Sequence, residues 1–244
     1  MGFWPFRRKI EGLREAGLME SLTDWHSHIL PGVDDGIPTM EKALEVLDAY
    51  EKMGVKKVWL TPHIMEDFPN ETSFLRQRFA ELCLEYDGHI ELRLAAENML
   101  DSLFEERLEK NDFLPLGDEG KHLLVETSYF SPPMNFDELI DDIKHAGYYP
   151  VLAHPERYRY MNENDYEKLK RRGVILQMNI LSIVGMYGET ARKKAEWLLK
   201  KGMYNVVGSD IHRLSATRRY LDMSPNRREA LESVLSVAAN PSMK

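Results

Sequence analysis

The sequence has a single cysteine, Cys83, among 244 residues. No intramolecular disulfide can form, so nothing in the chain asks for an oxidising compartment. It contains no apolar run of about 18 residues, which excludes a membrane-spanning helix. Basic residues are in deficit: 32 Lys and Arg against 40 Asp and Glu leave a net charge of −8. A duplex-binding protein usually carries a basic surplus, so nucleic acid is not an expected partner. An anionic small group could still bind, but only where positive charge is concentrated locally. There is no glycine-rich nucleotide loop and no Cys-x₅-Arg phosphate loop. The start, Met1–Lys9, is aromatic and basic without the long apolar stretch of a secretion signal. A cytoplasmic protein is expected, with residues 1–21 as a partly ordered leader and one domain over residues 22–240. Apolar residues at 43% and charged ones at 30% are an ordinary globular balance.

From residue 22 onward, short apolar segments alternate with helical ones. Strands are predicted at Thr23–His28, Val55–Thr61, His89–Ala96, His122–Thr127, Tyr149–His154, Val174–Asn179 and Asn205–Ser209. The clearest helix is Thr39–Met53, where Thr39 is a plausible N-cap and Ala43, Leu44, Val46, Leu47 and Tyr50 supply an apolar side. Others are predicted at Thr72–Tyr86, Phe136–Ala146, Asp165–Arg172, Glu189–Lys201 and Arg227–Ala239. Gly54, Gly147, Gly173 and Gly202 each stand just past a predicted helix, where a left-handed residue is wanted. Parallel strands need such crossovers, so the pattern predicts an α/β fold closing as one barrel-like domain.

In such folds reacting groups sit where strands end. His26, His28, Asp34 and Asp35 follow the first predicted strand and His63 the second. Glu97, Glu126 and His154 end the next three, and Asp210 and His212 follow the last; the sixth, ending near Asn179, offers no charged group. On a strand, His26 and His28 face the same way. Each of these residues alone has an ordinary structural explanation, but Asp, Glu and His rarely gather on one rim for packing. Imidazole and carboxylate together suit Zn, Mn or Fe(II), and so many donors exceed the needs of one ion. Cys83 lies mid-helix in Glu81-Leu82-Cys83-Leu84 and is expected to be a small buried apolar residue rather than a nucleophile.

The stretch Asp24-Trp25-His26-Ser27-His28-Ile29-Leu30-Pro31-Gly32-Val33-Asp34-Asp35-Gly36 resembles the opening motif of PHP (polymerase and histidinol phosphatase) phosphoesterases. It is most similar to the protein-tyrosine phosphatases of capsule and exopolysaccharide operons, the CpsB/CapC type. Thr61-Pro62-His63, Ala153-His154-Pro155-Glu156-Arg157-Tyr158 and Gly208-Ser209-Asp210-Ile211-His212 match that family's later motifs in order and spacing. The resemblance implies a distorted (β/α)₇ TIM-like barrel with three divalent ions: manganese, with iron, zinc and magnesium as alternatives. One ion would take His26, His28, Glu97 and Asp210; a second Glu97, Glu126 and His154; the third Asp35, His63 and His212. Arg157 matches the family's catalytic arginine. The gap before a second arginine holds an extra residue here, so Arg218 is taken for that role, with Arg213 competing.

The resemblance further implies hydrolysis of phosphotyrosine by a hydroxide shared between ions, on a protein substrate such as the tail of a bacterial tyrosine kinase. Three ions against four carboxylates would leave a positive pocket in an acidic protein, suited to a phosphate monoester. Arg157 could instead be a surface residue pairing with Glu156. The substrate ring could pack on Tyr129, Phe130, Pro132, Pro133 and Met134, or on Tyr158 and Tyr160, although ordinary loop packing explains either set. Competing readings are a small-molecule phosphatase, such as one acting on histidinol phosphate, and a non-catalytic metal-binding module.

Overall fold

The parallel ladder begins at β1 (Thr23–Ser27), which pairs with β2 (Lys57–Leu60), which in turn pairs with β4 (Glu91–Leu94). The structure is a computed structural model, and it describes residues 9–243; Met1–Arg8 of the expected leader, and Lys244, lie outside the described residues. A second parallel sheet runs in the order β3 (His63–Ile64), β5 (Glu97–Met99), β6 (His122–Glu126), β7 (Tyr149–Ala153), β8 (Ile175–Asn179) and β9 (Val206–Gly208). The sheets are continuous where Ala95 N donates to Leu60 O and Glu97 N to Pro62 O. Two short kinks, Thr61-Pro62 and Ala95-Ala96, separate β2 from β3 and β4 from β5; the strands expected from sequence stop at these kinks, and β3 and β5 beyond them were not expected. Pro62 has no N–H for the ladder, which is the physical reason for the first. At the far edge Asp210 N donates to His26 O (2.8 Å) and His28 N to Ile211 O (3.1 Å). The sheet is thus curled, with its first and last strands in contact.

Helices follow the strands: α1 (Met40–Lys52), α2 (Thr72–Glu85), α3 (Ser102–Lys110), α4 (Phe136–His145), α5 (Glu163–Arg171), α6 (Gly188–Lys200), α7 (Leu214–Leu221) and α8 (Arg228–Ala239). Thr39 caps α1 as expected, its side chain accepting from Lys42 N, and Gly54 beyond the helix takes φ 93°, where a side chain would be strained. The helix buries Ala43, Val46, Leu47 and Tyr50. Strands β6 and β8 are buried along their whole length, the usual state of a parallel sheet covered on both faces. Residues before the first strand also join the core. Leu13, Leu18, Met19 and Leu22 are buried, and Leu13 N donates to Met223 O just past α7.

Two helices, α3 and α7, are not expected from sequence. Each is short and offers few apolar residues; α3 owes its start to Asp101, whose side chain accepts from Phe104 N. Cys83 is a correction: it is exposed, not buried. α2 rests on the body through Leu75 and Leu82, which leaves Cys83 and Leu84 on its outer side.

This packing predicts that Leu47→Ala lowers unfolding free energy by about 2–5 kcal/mol, while Leu84→Ala changes it by less than about 0.5 kcal/mol. Urea denaturation of the two variants checks the contrast.

Candidate metal centre

The nine residues expected to bind metal come from every part of the chain, and the fold brings all nine together. His26, His28, Glu97 and Asp210 offer donor atoms within 4.8 Å of one another; so do His28, Asp35, His63 and His212, and so do His63, Glu97 and Glu126. His154 completes the cluster, its Nε2 3.0 Å from Glu97 Oε1 and 3.8 Å from Glu126 Oε2. Glu97 is the hub. Its Oε2 lies 3.1 Å from His26 Nε2, 3.3 Å from His28 Nε2 and 3.2 Å from His63 Nδ1. Yet Glu97 Oε2 and His63 Nδ1 are buried with no hydrogen bond. Close approach without hydrogen-bond geometry is what lone pairs aimed at a common point produce.

The tautomers follow from the outer contacts. His26 Nδ1 lies 2.9 Å from Gln177 Oε1, an acceptor, so that nitrogen carries a proton and the neutral imidazole presents its Nε2 lone pair inward. His28 does the same through Asp34 Oδ2 at 2.8 Å, and His212 through Asp210 O at 2.9 Å. Such outer acceptors fix ligand orientation and raise basicity at metal sites. Asp210 is similarly divided. Its Oδ2 accepts from Arg157 (2.7 Å) and Asn179 (2.9 Å), while Oδ1 faces His26 and His28.

Strain marks two of the candidate ligands. His154 (φ 32°) and Asp210 (φ 52°) are non-glycine residues in the left-handed region. Each costs on the order of 1–3 kcal/mol, and such strain collects where a side chain must be aimed. Close backbone approach explains Gly208: a Cβ there would sit 2.5 Å from His26 Cβ and 2.8 Å from Gln177 Nε2. Below the cluster Asp24 Oδ1 accepts from Ser209 N (2.8 Å) and His26 N (3.3 Å), tying β1 to the end of β9; burial pushes its carboxyl up to about 6.

The electrostatics are those of a dense acid–imidazole cluster. Burial opposes charge on His26, but Glu97 and Asp210 raise it to about 9. Burial likewise opposes the ionised forms of Glu97 and Asp210, and the surrounding imidazoles, His26 foremost, still hold both well below the usual carboxylate range. Asp35, hydrogen-bonded to His212, is lowered to about 2. Buried carboxylates at this density require opposite charge nearby. The residues therefore fit divalent ions: hard carboxylate oxygens, inward lone pairs from imidazoles, and more donors than one ion takes.

Arg157 stands beside the cluster. Its guanidinium lies 4.4 Å from the Tyr129 ring centre and 4.1 Å from that of Tyr187, a sandwich that holds the plane while Asp210 takes one nitrogen. The alternative of a surface pair with Glu156 is overturned. Glu156 is buried and accepts from Asn179 N, Ser182 Oγ and Tyr204 OH. Arg213 and Arg218 are both exposed, Arg213 immediately before α7 and Arg218 in its second half. Of the candidate aromatic walls, Tyr129 borders the centre, its ring 5.8 Å from that of His154. Tyr158 is fully buried and forms no open wall; Tyr160, its hydroxyl hydrogen-bonded to Thr127, lines a cavity apart from the nine clustered residues. Phe130 and Met134 are exposed, and Pro132 and Pro133 line a separate cavity with Met134. Sequence reading missed Gln177, Asn179 and Tyr187. The sixth predicted strand offers no charged group, yet its side-chain amides make the orienting contacts.

A family model described as capsular polysaccharide synthesis, CpsB/CapC, matches residues 22–234. The tyrosine-protein phosphatase YwqE of Bacillus subtilis (strain 168) is 28% identical over 205 residues, 82% of this chain and 80% of its own length. The tyrosine-protein phosphatase CpsB of Streptococcus pneumoniae is 29% identical over 218 residues, 83% of this chain and 88% of its own. Among solved structures, a chain from the crystal structures of YwqE and CpsB from these two organisms, described as unique metal-dependent tyrosine phosphatases, superposes with a TM-score of 0.75. The two share 26% identity over 88% of this chain and 87% of that one.

Saturating Mn²⁺, at about a hundred times its dissociation constant, should add about 2.7 kcal/mol and raise Tm by about 5–10 °C. A chelator should reverse the gain and His28→Ala should lose most of it. Differential scanning calorimetry checks this; a Tm indifferent to divalent ions contradicts the centre. Gly208→Ala should lower stability by about 1–3 kcal/mol, since the added Cβ has only His26 and Gln177 to displace.

Proposed function

Because the chain belongs to the CpsB/CapC family of capsular polysaccharide synthesis, we propose that it is a metal-dependent phosphatase that hydrolyses phosphotyrosine in proteins. The observation that carries this reading is the convergence of nine His, Asp and Glu side chains beside one arginine held flat between two tyrosines. Three divalent ions are proposed, manganese first among them. His26, His28, Glu97 and Asp210 would hold one, Glu97, Glu126 and His154 the second, and Asp35, His63 and His212 the third, with Glu97 shared. The kinks that join the two sheets and the contact between the first and last strands support a distorted seven-stranded barrel of the PHP type, whose rim carries these residues.

Divalent ions at such a centre polarise phosphoryl oxygens and lower the pKa of water. The chain's own residues supply the rest. Arg157, paired to Asp210 through one nitrogen, has further N–H groups in its planar fork to donate to phosphoryl oxygens. Tyr129 and Tyr187 restrict its rotation, so little entropy is lost when it binds. The second arginine is proposed as Arg218, with Arg213 the competitor because it stands beside His212. A tyrosyl leaving group has a pKa of about 10 and leaves without a dedicated general acid. Cys83 is exposed, and what burial it has raises its thiol, so it takes no part as a nucleophile. Among the described residues no helix is long and apolar enough to cross a membrane. The tail of a bacterial tyrosine kinase, met in the cytoplasm, is the proposed partner, and residues 22–240, with Leu13, Leu18 and Met19 packed into the same core, the proposed catalytic domain.

His154→Ala and Arg157→Ala should each lower kcat on a phosphotyrosine peptide by at least about a hundredfold, whereas Cys83→Ser should stay within about twofold. Steady-state kinetics with phosphotyrosine peptide and histidinol phosphate side by side decide the substrate class. Turnover of histidinol phosphate alone contradicts the protein-phosphatase reading. Tyr187→Leu, which frees one face of Arg157, should lower kcat by about tenfold and leave the Mn²⁺-induced rise in Tm in place.

A further inference from the structure

Arg157 is stacked between Tyr129 and Tyr187, but its backbone lies in a short turn that must itself be held. The 3-10 turn Pro155–Arg157 follows His154, whose backbone is strained, and Arg157 N donates to His154 O at 2.9 Å. Such a turn has poorer hydrogen-bond geometry than an α-helix and needs support from outside. Glu156, in the middle of it, supplies that support. Its carboxylate is buried, at 1% exposure. Oε1 accepts from Asn179 N at 3.0 Å and from Ser182 Oγ at 2.7 Å, and Oε2 accepts from Tyr204 OH at 2.8 Å. The three donors come from the end of β8, from the 3-10 turn Ile180–Val184 and from the loop before β9. All three are neutral. A carboxylate buried among neutral donors costs more than a well-packed apolar side chain of its size, so packing alone does not account for it.

The residues that Glu156 fastens are those that hold Arg157. Asn179, tied to Glu156 through its backbone, donates its side-chain Nδ2 to Asp210 Oδ2 at 2.9 Å and to Tyr187 OH at 2.8 Å. Asp210 Oδ2 also accepts from Arg157, and Tyr187 covers one face of the guanidinium. Ser182 belongs to the turn that leads to Tyr187. One carboxylate therefore joins the turn that carries Arg157 to the segment that carries its partners.

We propose that Glu156 is a positioning residue for Arg157: its three hydrogen bonds lock the turn Pro155–Arg157 against the end of β8, so that the guanidinium meets the phosphoryl group in one orientation. This rests on the phosphatase reading and adds to it the residue through which the arginine is aimed. The role is to accept hydrogen bonds, not to carry charge. Glutamine therefore serves in its place: the amide oxygen takes the two donors of Oε1, and the amide nitrogen donates to the Tyr204 hydroxyl. Aspartate is one methylene short of the same three donors, and a small misplacement of an orienting group is costly to turnover.

The test is a double-mutant cycle on a phosphotyrosine peptide, with Mn²⁺ present. It compares the wild type, Glu156→Asp, Arg157→Ala and the double variant, with Glu156→Gln beside them. Glu156→Asp should lower kcat by about tenfold and raise the inhibition constant of inorganic phosphate by about threefold. Once Arg157 is alanine, the same change should alter kcat by less than about twofold, because a residue that acts through the arginine has nothing left to aim. Glu156→Gln should stay within about threefold of the wild type, and the Mn²⁺-induced rise in Tm should remain in every variant. Should Glu156→Asp fail to fold, Tyr204→Phe removes a single donor; it should lower kcat by about threefold, again only while Arg157 is present. A fall in kcat that persists without Arg157, a Glu156→Asp enzyme as fast as the wild type, a Glu156→Gln enzyme as impaired as Glu156→Asp, or a lost Mn²⁺ response overturns the proposal while leaving the phosphatase reading intact. Failure of the wild type to hydrolyse the peptide overturns the phosphatase reading, and this proposal with it.

Discussion

One carboxylate oxygen organises this molecule. Glu97 Oε2 is buried within 3.3 Å of nitrogens on three histidines, and it hydrogen-bonds to none of them. Burying so many polar atoms without partners is among the most expensive things a fold can do. The surrounding chain is arranged to hold them there nonetheless. Gln177, Asp34 and the Asp210 carbonyl turn three imidazoles inward. Asp24 ties the first strand to the end of the last, Gly208 allows His26 to approach closely, and His154 and Asp210 keep a strained backbone. Each device loses its purpose unless cations share the lone pairs.

The same residues link the centre to chemistry. Asp210 presents one oxygen to the cluster and the other to Arg157, so the arginine is positioned by a candidate ligand. Tyr129 and Tyr187 hold the guanidinium from both faces. Arg157 stands beside a cluster of four carboxylates, and bound divalent ions would supply the surplus positive charge that an anionic substrate requires. Asp35 and His212 are the most exposed of the nine side chains, so the cluster opens to solvent at that edge.

Much of this was legible in the sequence because the chemistry-bearing residues stand at strand ends, where apolar alternation stops and polar residues begin. The spacing of His26 and His28, and of Asp210 and His212, is visible before any fold is known. What was hidden is instructive in physical terms. β3 and β5 are two or three residues long, and Pro62 breaks the ladder before the first of them, so the expected strands stop at Thr61 and Ala96 and no periodicity reveals the short ones beyond. Gln177 and Asn179 carry no charge and looked like ordinary strand residues; their importance lies in accepting from His26 and donating to Asp210 across the sheet. Tyr187 follows a 3-10 turn with no motif around it, and only the tertiary fold stacks it on Arg157. Cys83 was misjudged because α2 touches the body through so few residues that its apolar side chains are not a guide to its buried face.

The most direct measurement is anomalous diffraction at the manganese edge from crystals grown with Mn²⁺. Two or three peaks within about 2.0–2.4 Å of the donor atoms of His26, His28, His63, Glu97, His154, Asp210 and their neighbours are expected, with Glu97 shared between two of them. Ions bound elsewhere, or a centre free of ions in protein that still hydrolyses phosphotyrosine after exhaustive chelation, would contradict it.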